Sequence, residues 1–173
     1  SIVKAAFDNA EAAGIYHAAA AGNSGKCSGS GDNVIYPARW ESVIAVAATA
    51  SNDARPCFSG TGPDVELAAP GVSVNSTLLG GGYGTKSGTS MASPHVAGTA
   101  ALVIAAGITD VRTQLQTTAD DLGDPGRDPQ YGYGLVNAAA APVPSGLVSN
   151  APTVSITSPA SGTLSDSRPA WFA

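Results

Sequence analysis

The chain has 173 residues, 43% of them apolar and only 12% charged, with a formal net charge of −5 and two cysteines, Cys27 and Cys57. That length and composition fit one alanine-rich globular α/β unit with a real core, and the negative balance argues against nucleic acid or an anionic membrane as a partner. No apolar run is long enough to span a bilayer, none at the start has the form of a signal peptide, and two cysteines permit one disulfide without fixing the compartment.

Ile2, Ala5, Ala6, Ala10 and Ala13 recur at helical spacing and Gly14 stops the run, which predicts an amphipathic helix. Ile15 to Ala21 is a short apolar run ending in Gly22-Asn23-Ser24-Gly25, as a buried parallel strand ends at a loop. Active groups in open parallel sheets gather beyond the carboxyl ends of strands, and Asn23 lies at such an end. A glycine-flanked asparagine is equally a turn residue tolerant of left-handed geometry. Lys26 to Asn33 reads as a surface loop, Val34-Ile35-Tyr36-Pro37 re-enters order, and Val43 to Ala48 is a second buried strand. Ser51 to Pro63 is turn-rich. Val65 to Ala68 and Val72 to Thr77 read as strands separated by Pro70-Gly71, and Gly80-Gly81-Gly82 makes a hairpin-like turn before Tyr83 to Ser87.

The stretch Gly88-Thr89-Ser90-Met91-Ala92-Ser93-Pro94-His95-Val96-Ala97-Gly98 then opens a helix that starts near Thr89 or Ser90 and is apolar on nearly every face through Ile104. Such a helix is expected to run through a core, with Pro94 inside its first turn. A hydroxyl at its amino end sits beside unpaired backbone donors at the positive end of the dipole, which suits a nucleophile whose reaction makes an oxyanion. A serine N-cap is the plainer alternative, but it leaves the tight Gly88 turn and the small residues of the helix unexplained. Val111 and Leu115 suggest a peripheral helix capped near Thr109 or Asp110. Asp120 to Asp128 reads as a solvated turn paired with Arg127 in preference to a metal loop. From Pro142 the chain becomes rich in Pro, Ser and Thr, and Pro152 to Pro159 alternates like an opening β-strand.

The eleven residues from Gly88 to Gly98 resemble the serine motif of the subtilisin-like (subtilase) peptidases. Ala19-Ala20-Ala21-Gly22-Asn23, Tyr36-Pro37-Ala38 running into Ser42 to Val46, and Ala68-Ala69-Pro70-Gly71 resemble the same family in the same order. The G-x-S-x-G elbow of the α/β-hydrolases fits worse, because Ala92 stands where its last glycine belongs. The resemblance implies a three-layer α/β fold with a mainly parallel sheet, truncated on its amino side. Residues 1–140 would be the C-terminal portion of a catalytic domain, and 141–173 a linker with the start of an appended β module.

It further implies Ser90 as nucleophile, Asn23 as side-chain donor to the oxyanion, and Ala20, Ala21, Gly22, Ile35 and Thr89 as residues of the polypeptide-binding cleft. Subtilisins commonly carry glycine where this chain has Ile35, which implies a shallower pocket for the residue before the scissile bond. The carbonyls of Ala38, Trp40 and Val43 would offer a weak site to a hard cation such as calcium. Tyr133 to Ala138 resembles the last helix of the family, and secretion is implied by the same resemblance. Cys27 and Cys57 fall in loops that flank the pocket wall, so that either one disulfide or two free thiols is open there.

One requirement is not met within the chain. A serine needs a base, usually a histidine oriented by a carboxylate, and only His17 and His95 are present. His95 lies about 140° round and about 7.5 Å along the helix from Ser90, so it is expected to be a packed structural residue. His17 should sit roughly 20 Å from the carboxyl end of its strand. The Asp and His of the triad are therefore expected in a missing N-terminal half, the natural partner of this chain, and the chain alone should be inactive. The competing expectations are a peptide-binding pseudo-peptidase and a structural module.

Overall fold

The computed structural model describes residues 1–143; the linker and appended module expected beyond lie almost wholly outside them. In chain order the elements are α1 (Ile2–Ala12), β1 (Ala18–Ala20), β2 (Ile44–Thr49), β3 (Val65–Pro70), β4 (Val74–Thr77), β5 (Tyr83–Lys86), α2 (Thr89–Ala105) and α3 (Val111–Thr117). Strands β1, β2 and β3 form a parallel sheet in that order, with Ala18 opposite Ile44 and Ala47 opposite Ala68. A second sheet is the antiparallel hairpin β4–β5, closed by the three glycines 80–82.

All six residues of β2 are buried, which is why the strand reads as a continuous small-apolar run without alternation. Its pleat still divides the core in two. Ile44, Val46 and Ala48 face Ala92, Val96, Ala100 and Val103 of α2 together with Val111 and Leu115 of α3, while Ala45 and Ala47 face Ala21, Val34 and Ala38 on the other side. Alanines let α2 approach the sheet closely, and the branched side chains between them are worth about 1.5–3 kcal/mol each on full burial. Ala141, just past the boundary expected at residue 140, is fully buried in the α2–α3 side of this core.

Several expectations are corrected. Helix α2 is not covered all round: its buried residues lie on one face, whereas Leu102 and Ile104 are 48% and 53% exposed, because among the described residues the sheet and α3 meet only one side. Pro94 stands in the second turn, so it removes the N–H that would bond to the Ser90 carbonyl. Strand β1 is shorter than the run Ile15 to Ala21, although the bonds from Ile44 N–H to the His17 carbonyl and from Ala21 N–H to the Val46 carbonyl extend its ladder at both ends.

Tyr133 to Ala138 forms no helix. Leu135 bridges to both Ala68 and Asp120, and Val136 N–H donates to the Ala68 carbonyl, so the free edge of β3 draws this segment into extended pairing. A single turn follows, in which Asn137 accepts from the amides of Ala139 and Ala140. Arg127 does not pair with the acidic turn; it donates to the Pro63 and Val65 carbonyls and lies 5.3 Å from the centre of the Tyr133 ring. The turn's own Asp128 instead accepts three backbone amides, from Asp124, Gln130 and Tyr131.

Polar staples hold the layers together. Asp110 caps α3 by accepting from Thr113 N–H. On the same helix Arg112 makes a two-pronged pair with Glu66 of β3, which is 3% exposed, and also reaches Glu11 of α1. The Glu66 carboxylate holds the Arg112 guanidinium above its already high ordinary pKa. Helix α1, with no buried residue, docks through Asp8, which accepts from Lys4 and from the Ser42 hydroxyl. Among the described residues no helix is long and apolar enough to cross a membrane.

Candidate active site

The carboxyl ends of β1 and β3 and the amino end of α2 meet at one edge of the sheet. Gly71, just past β3, donates its N–H to the Thr49 carbonyl and accepts one from Gly88, so the chain returning from the hairpin is pinned where α2 begins. Gly88 is the N-cap and has φ +155, a conformation L residues rarely adopt, and a Cβ there would lie 3.3 Å from Asn23 Nδ2. Since the N-cap is Gly88, which has no side chain to accept from the helix, Ser90 is not spent on capping.

Thr89 organises the neighbours of Ser90. It is fully buried; its Oγ1 accepts from Gly22 N–H at 3.1 Å and donates to Asn23 Oδ1 at 3.0 Å, and its backbone N–H donates to the same Oδ1 at 2.9 Å. A backbone N–H can only donate, so the amide oxygen of Asn23 must face Thr89 and its NH₂ must face outward. Ser90, the next residue, is exposed, and neither its hydroxyl nor its backbone N–H has a hydrogen-bond partner among the described residues. The outcome is an exposed hydroxyl at the positive end of a 17-residue helix, with its own backbone N–H and the nearby Asn23 amide NH₂ both without a hydrogen-bond partner among the described residues. Free donors at a helix amino terminus are groups that can stabilise negative charge on an oxygen placed there.

Beside it run Ala20, Ala21 and Gly22, the segment expected as the pocket wall, with Ala21 and Gly22 buried. Ile35 N–H donates to the Ala21 carbonyl, and the Ile35 side chain, 51% exposed, leans over Gly22, where a Cβ would meet its Cγ2 at 3.2 Å. On the other bank a cavity of about 310 Å³ is lined by Val74, Asn75 and Ser76 of β4 with Ser90, Met91 and His95. Two residues of the wall's support went unnoticed in the sequence: Gly60, whose N–H donates to the Gly22 carbonyl at 2.8 Å, and Arg55. Ser59 and Gly60 are buried in a turn-rich segment whose composition suggests only surface.

Neither histidine is hydrogen-bonded to Ser90 among the described residues. His95 is exposed rather than packed, because it projects from the open side of α2, and its Nδ1 lies 2.8 Å from the Met91 carbonyl of its own helix. The His17 ring packs edge-on against Phe7 at 4.8 Å, with a buried Nε2 that has no partner. Cys27 and Cys57 are joined, with Cα atoms 4.1 Å apart.

Ala38, Trp40 and Val43 line a different cavity of about 260 Å³, shared with Asp64, Glu66 and the side chains of Arg39, Arg112 and Arg127. The Trp40 carbonyl accepts from Val43 N–H, the Glu66 oxygens accept from Arg112 and Gln116, and Asp64 lies 3.7 Å from Arg39. The carboxylates of this cavity are paired with guanidinium groups, so the backbone carbonyls of Ala38, Trp40 and Val43 are the ligands a hard cation would use here.

A serine at a helix amino terminus with donors for an oxyanion, set at the carboxyl edge of a parallel sheet, is the architecture of a serine hydrolase. Residues 1–134 match the model of the subtilase family, the peptidase S8 group, and the chain belongs to that family of serine peptidases. It is 50% identical over 143 residues to subtilisin DY of Bacillus licheniformis, a match covering 80% of this chain and 51% of that protein. With subtilisin E of Bacillus subtilis (strain 168) the identity is 48% over 143 residues, covering 80% of this chain and 36% of the relative. Alkaline elastase YaB of Bacillus sp. (strain YaB) is 45% identical over 140 residues, covering 79% and 35% respectively. The chain thus spans about half or less of the length of these relatives.

Proposed function

We propose that this chain is the nucleophile-bearing part of a serine endopeptidase acting on extended polypeptide. Ser90 Oγ attacks the scissile carbonyl carbon and its proton passes to a base. The carbonyl oxygen, now negative, is held by Asn23 Nδ2–H and Ser90 N–H until the C–N bond breaks, the amine leaves with that proton, and the acyl group remains on Ser90. Water then attacks the ester, with the base accepting its proton and returning one to Ser90 Oγ. The observation that carries this reading is the Thr89 clamp on the amide oxygen of Asn23, which turns the amide NH₂ outward beside the unpartnered N–H of Ser90.

The base and its orienting carboxylate are assigned to the part of the catalytic domain outside residues 1–173, so this chain alone hydrolyses peptides negligibly. Triad residues act as a unit; without the base only the residual catalysis of the oxyanion donors and binding is left, about 10³–10⁴-fold over water in a fully formed site. Small to medium apolar side chains suit the pocket before the scissile bond, because Ile35 covers Gly22. Family membership and the Cys27–Cys57 bond support a secreted protein. No step is assigned to calcium. The test is a fluorophosphonate label applied to residues 1–173 and to the full-length polypeptide. Labelling of the latter at Ser90, abolished by Ser90→Ala and absent from the former, is expected; an unlabelled full-length polypeptide refutes the peptidase assignment.

A further inference from the structure

Two fastenings that share no atoms join the loop bearing Asn23 to the turn at residues 55–60. One is the Cys27–Cys57 disulfide, exposed at both ends. The other is the half-buried Arg55. Its Nη2 donates to the Lys26 carbonyl at 2.5 Å and the Cys27 carbonyl at 3.4 Å, and its Nη1 donates to the carbonyls of Pro56 at 3.2 Å and Ser59 at 2.9 Å. Tyr131 and Gln130 fix Arg55 from behind: its N–H donates to the Tyr131 hydroxyl at 2.9 Å and its Nε to Gln130 Oε1 at 3.2 Å. No carboxylate pairs with this guanidinium among the described residues, so its donors are given over to loop carbonyls.

Between the fastenings the two backbones are in contact. Gly25 N–H donates to the Phe58 carbonyl at 2.9 Å, Gly60 N–H to the Gly22 carbonyl at 2.8 Å, and a Cβ on Gly25 would fall 2.0 Å from the Ser59 carbonyl oxygen. Asn23 therefore sits in a Gly-Asn-Ser-Gly segment with little stiffness of its own, pressed against a turn to which two backbone hydrogen bonds, the Arg55 side chain and a disulfide tie it. Oxyanion donors must be held to about 0.5 Å to act.

We infer that Arg55 and the Cys27–Cys57 bond are redundant positioning elements for the backbone that carries Asn23: either alone holds that loop against the 55–60 turn, where Thr89 aims the amide, and loss of both lets the loop drift from the Thr89 clamp. The inference rests on the peptidase reading for its kinetic consequence, and its structural consequence is read separately.

The experiment uses the full-length polypeptide carrying Arg55→Met, Cys27→Ser with Cys57→Ser, or all three, each with Asn23 intact and with Asn23→Ala. Either fastening removed singly should change kcat by less than about threefold. Removing both should lower it by about tenfold or more, toward the roughly 10²–10³-fold ceiling set by losing an oxyanion donor altogether, with KM within about twofold. In the Asn23→Ala background the same triple change should cost less than about twofold, because nothing is left to aim. Amide hydrogen exchange at Gly25 and Gly60 should accelerate only when both fastenings are gone. Should the triple variant not fold, Arg55→Lys in the cysteine-free background replaces it. Equal losses with and without Asn23, or simple addition of the two single effects, overturns the inference. If the unmodified protein hydrolyses nothing, the peptidase reading falls, and the exchange pattern alone upholds or rejects the redundancy.

Discussion

Thr89→Val is the sharpest single test of the site, because valine matches threonine in shape and deletes only the hydroxyl. In the native fold that hydroxyl accepts from Gly22 N–H at 3.1 Å and donates to Asn23 Oδ1 at 3.0 Å, at a side chain with 0% exposure. The substitution leaves the Gly22 donor buried without a partner, which costs about 1–3 kcal/mol. At about 2–4 °C per kcal/mol for a domain of 150–250 residues, Tm should fall by about 2–12 °C. Asn23 Oδ1 keeps its bond from Thr89 N–H, so the amide is loosened but not freed. In the full-length polypeptide kcat should therefore fall by less than it does for Asn23→Ala. That upper limit, about 10²–10³-fold, is taken from subtilisin itself and is not worked out from this geometry. Thr89→Ser restores both bonds and should recover Tm and kcat together. The assay is thermal unfolding beside peptide hydrolysis at saturating substrate. If Thr89→Val leaves both unchanged, or Thr89→Ser behaves like valine, the clamp does not hold Asn23.

Arg112→Met strands the Glu66 carboxylate, 3% exposed, with Gln116 as its remaining donor, so urea denaturation should show a loss of about 3–5 kcal/mol. Adding Glu66→Met should recover most of it. The Asp8 carboxyl is held below the ordinary aspartate range by its bond from Lys4 and then by the Ser42 hydroxyl. A depressed carboxyl contributes stability that is present above the unfolded pKa of about 3.9 and is lost as pH falls through the folded value. Loosening of α1, followed by hydrogen exchange, should appear only below about pH 4, and Asp8→Asn should remove that dependence. Ile35→Gly should shift cleavage toward Phe and Tyr before the scissile bond by about 10–200-fold in relative kcat/KM, the equivalent of about 1–3 kcal/mol; an unmodified enzyme that already cleaves best after Phe would overturn the reading of the pocket.

Much of the fold was legible because its signals are local. The continuous apolar run of β2, the Asp110 cap of α3 and the glycine turn of the hairpin depend on neighbours in sequence, and each appears where the residues put it. The Gly88 to Gly98 stretch announced a serine at a helix start for the same reason: a glycine turn and a run of small residues are readable without knowing what surrounds them. The length of β1, by contrast, is set by where β2 begins, at Ile44 opposite Ala18, and by the turn of the chain at Gly22, not by the apolar run Ile15 to Ala21.

Other features were decided only when distant segments met. The helix that the family resemblance implied for Tyr133 to Ala138 lost to the open edge of β3, some 65 residues earlier in the chain, whose unpaired amide and carbonyl groups gain more from a bridging strand than from a lone helical turn. Arg127 answered to the carbonyls of Pro63 and Val65 and not to the acidic residues beside it, because ready-placed acceptors hold it better than solvated carboxylates. Most telling is Asn23, which in sequence is as much a turn residue as a catalytic one. Which way its amide points is set by Thr89, 66 residues away, since a backbone N–H and a hydroxyl claim its oxygen and leave the NH₂ as the free end. The residue type was written in the chain; its orientation exists only because the fold brings a donor to one end of the amide.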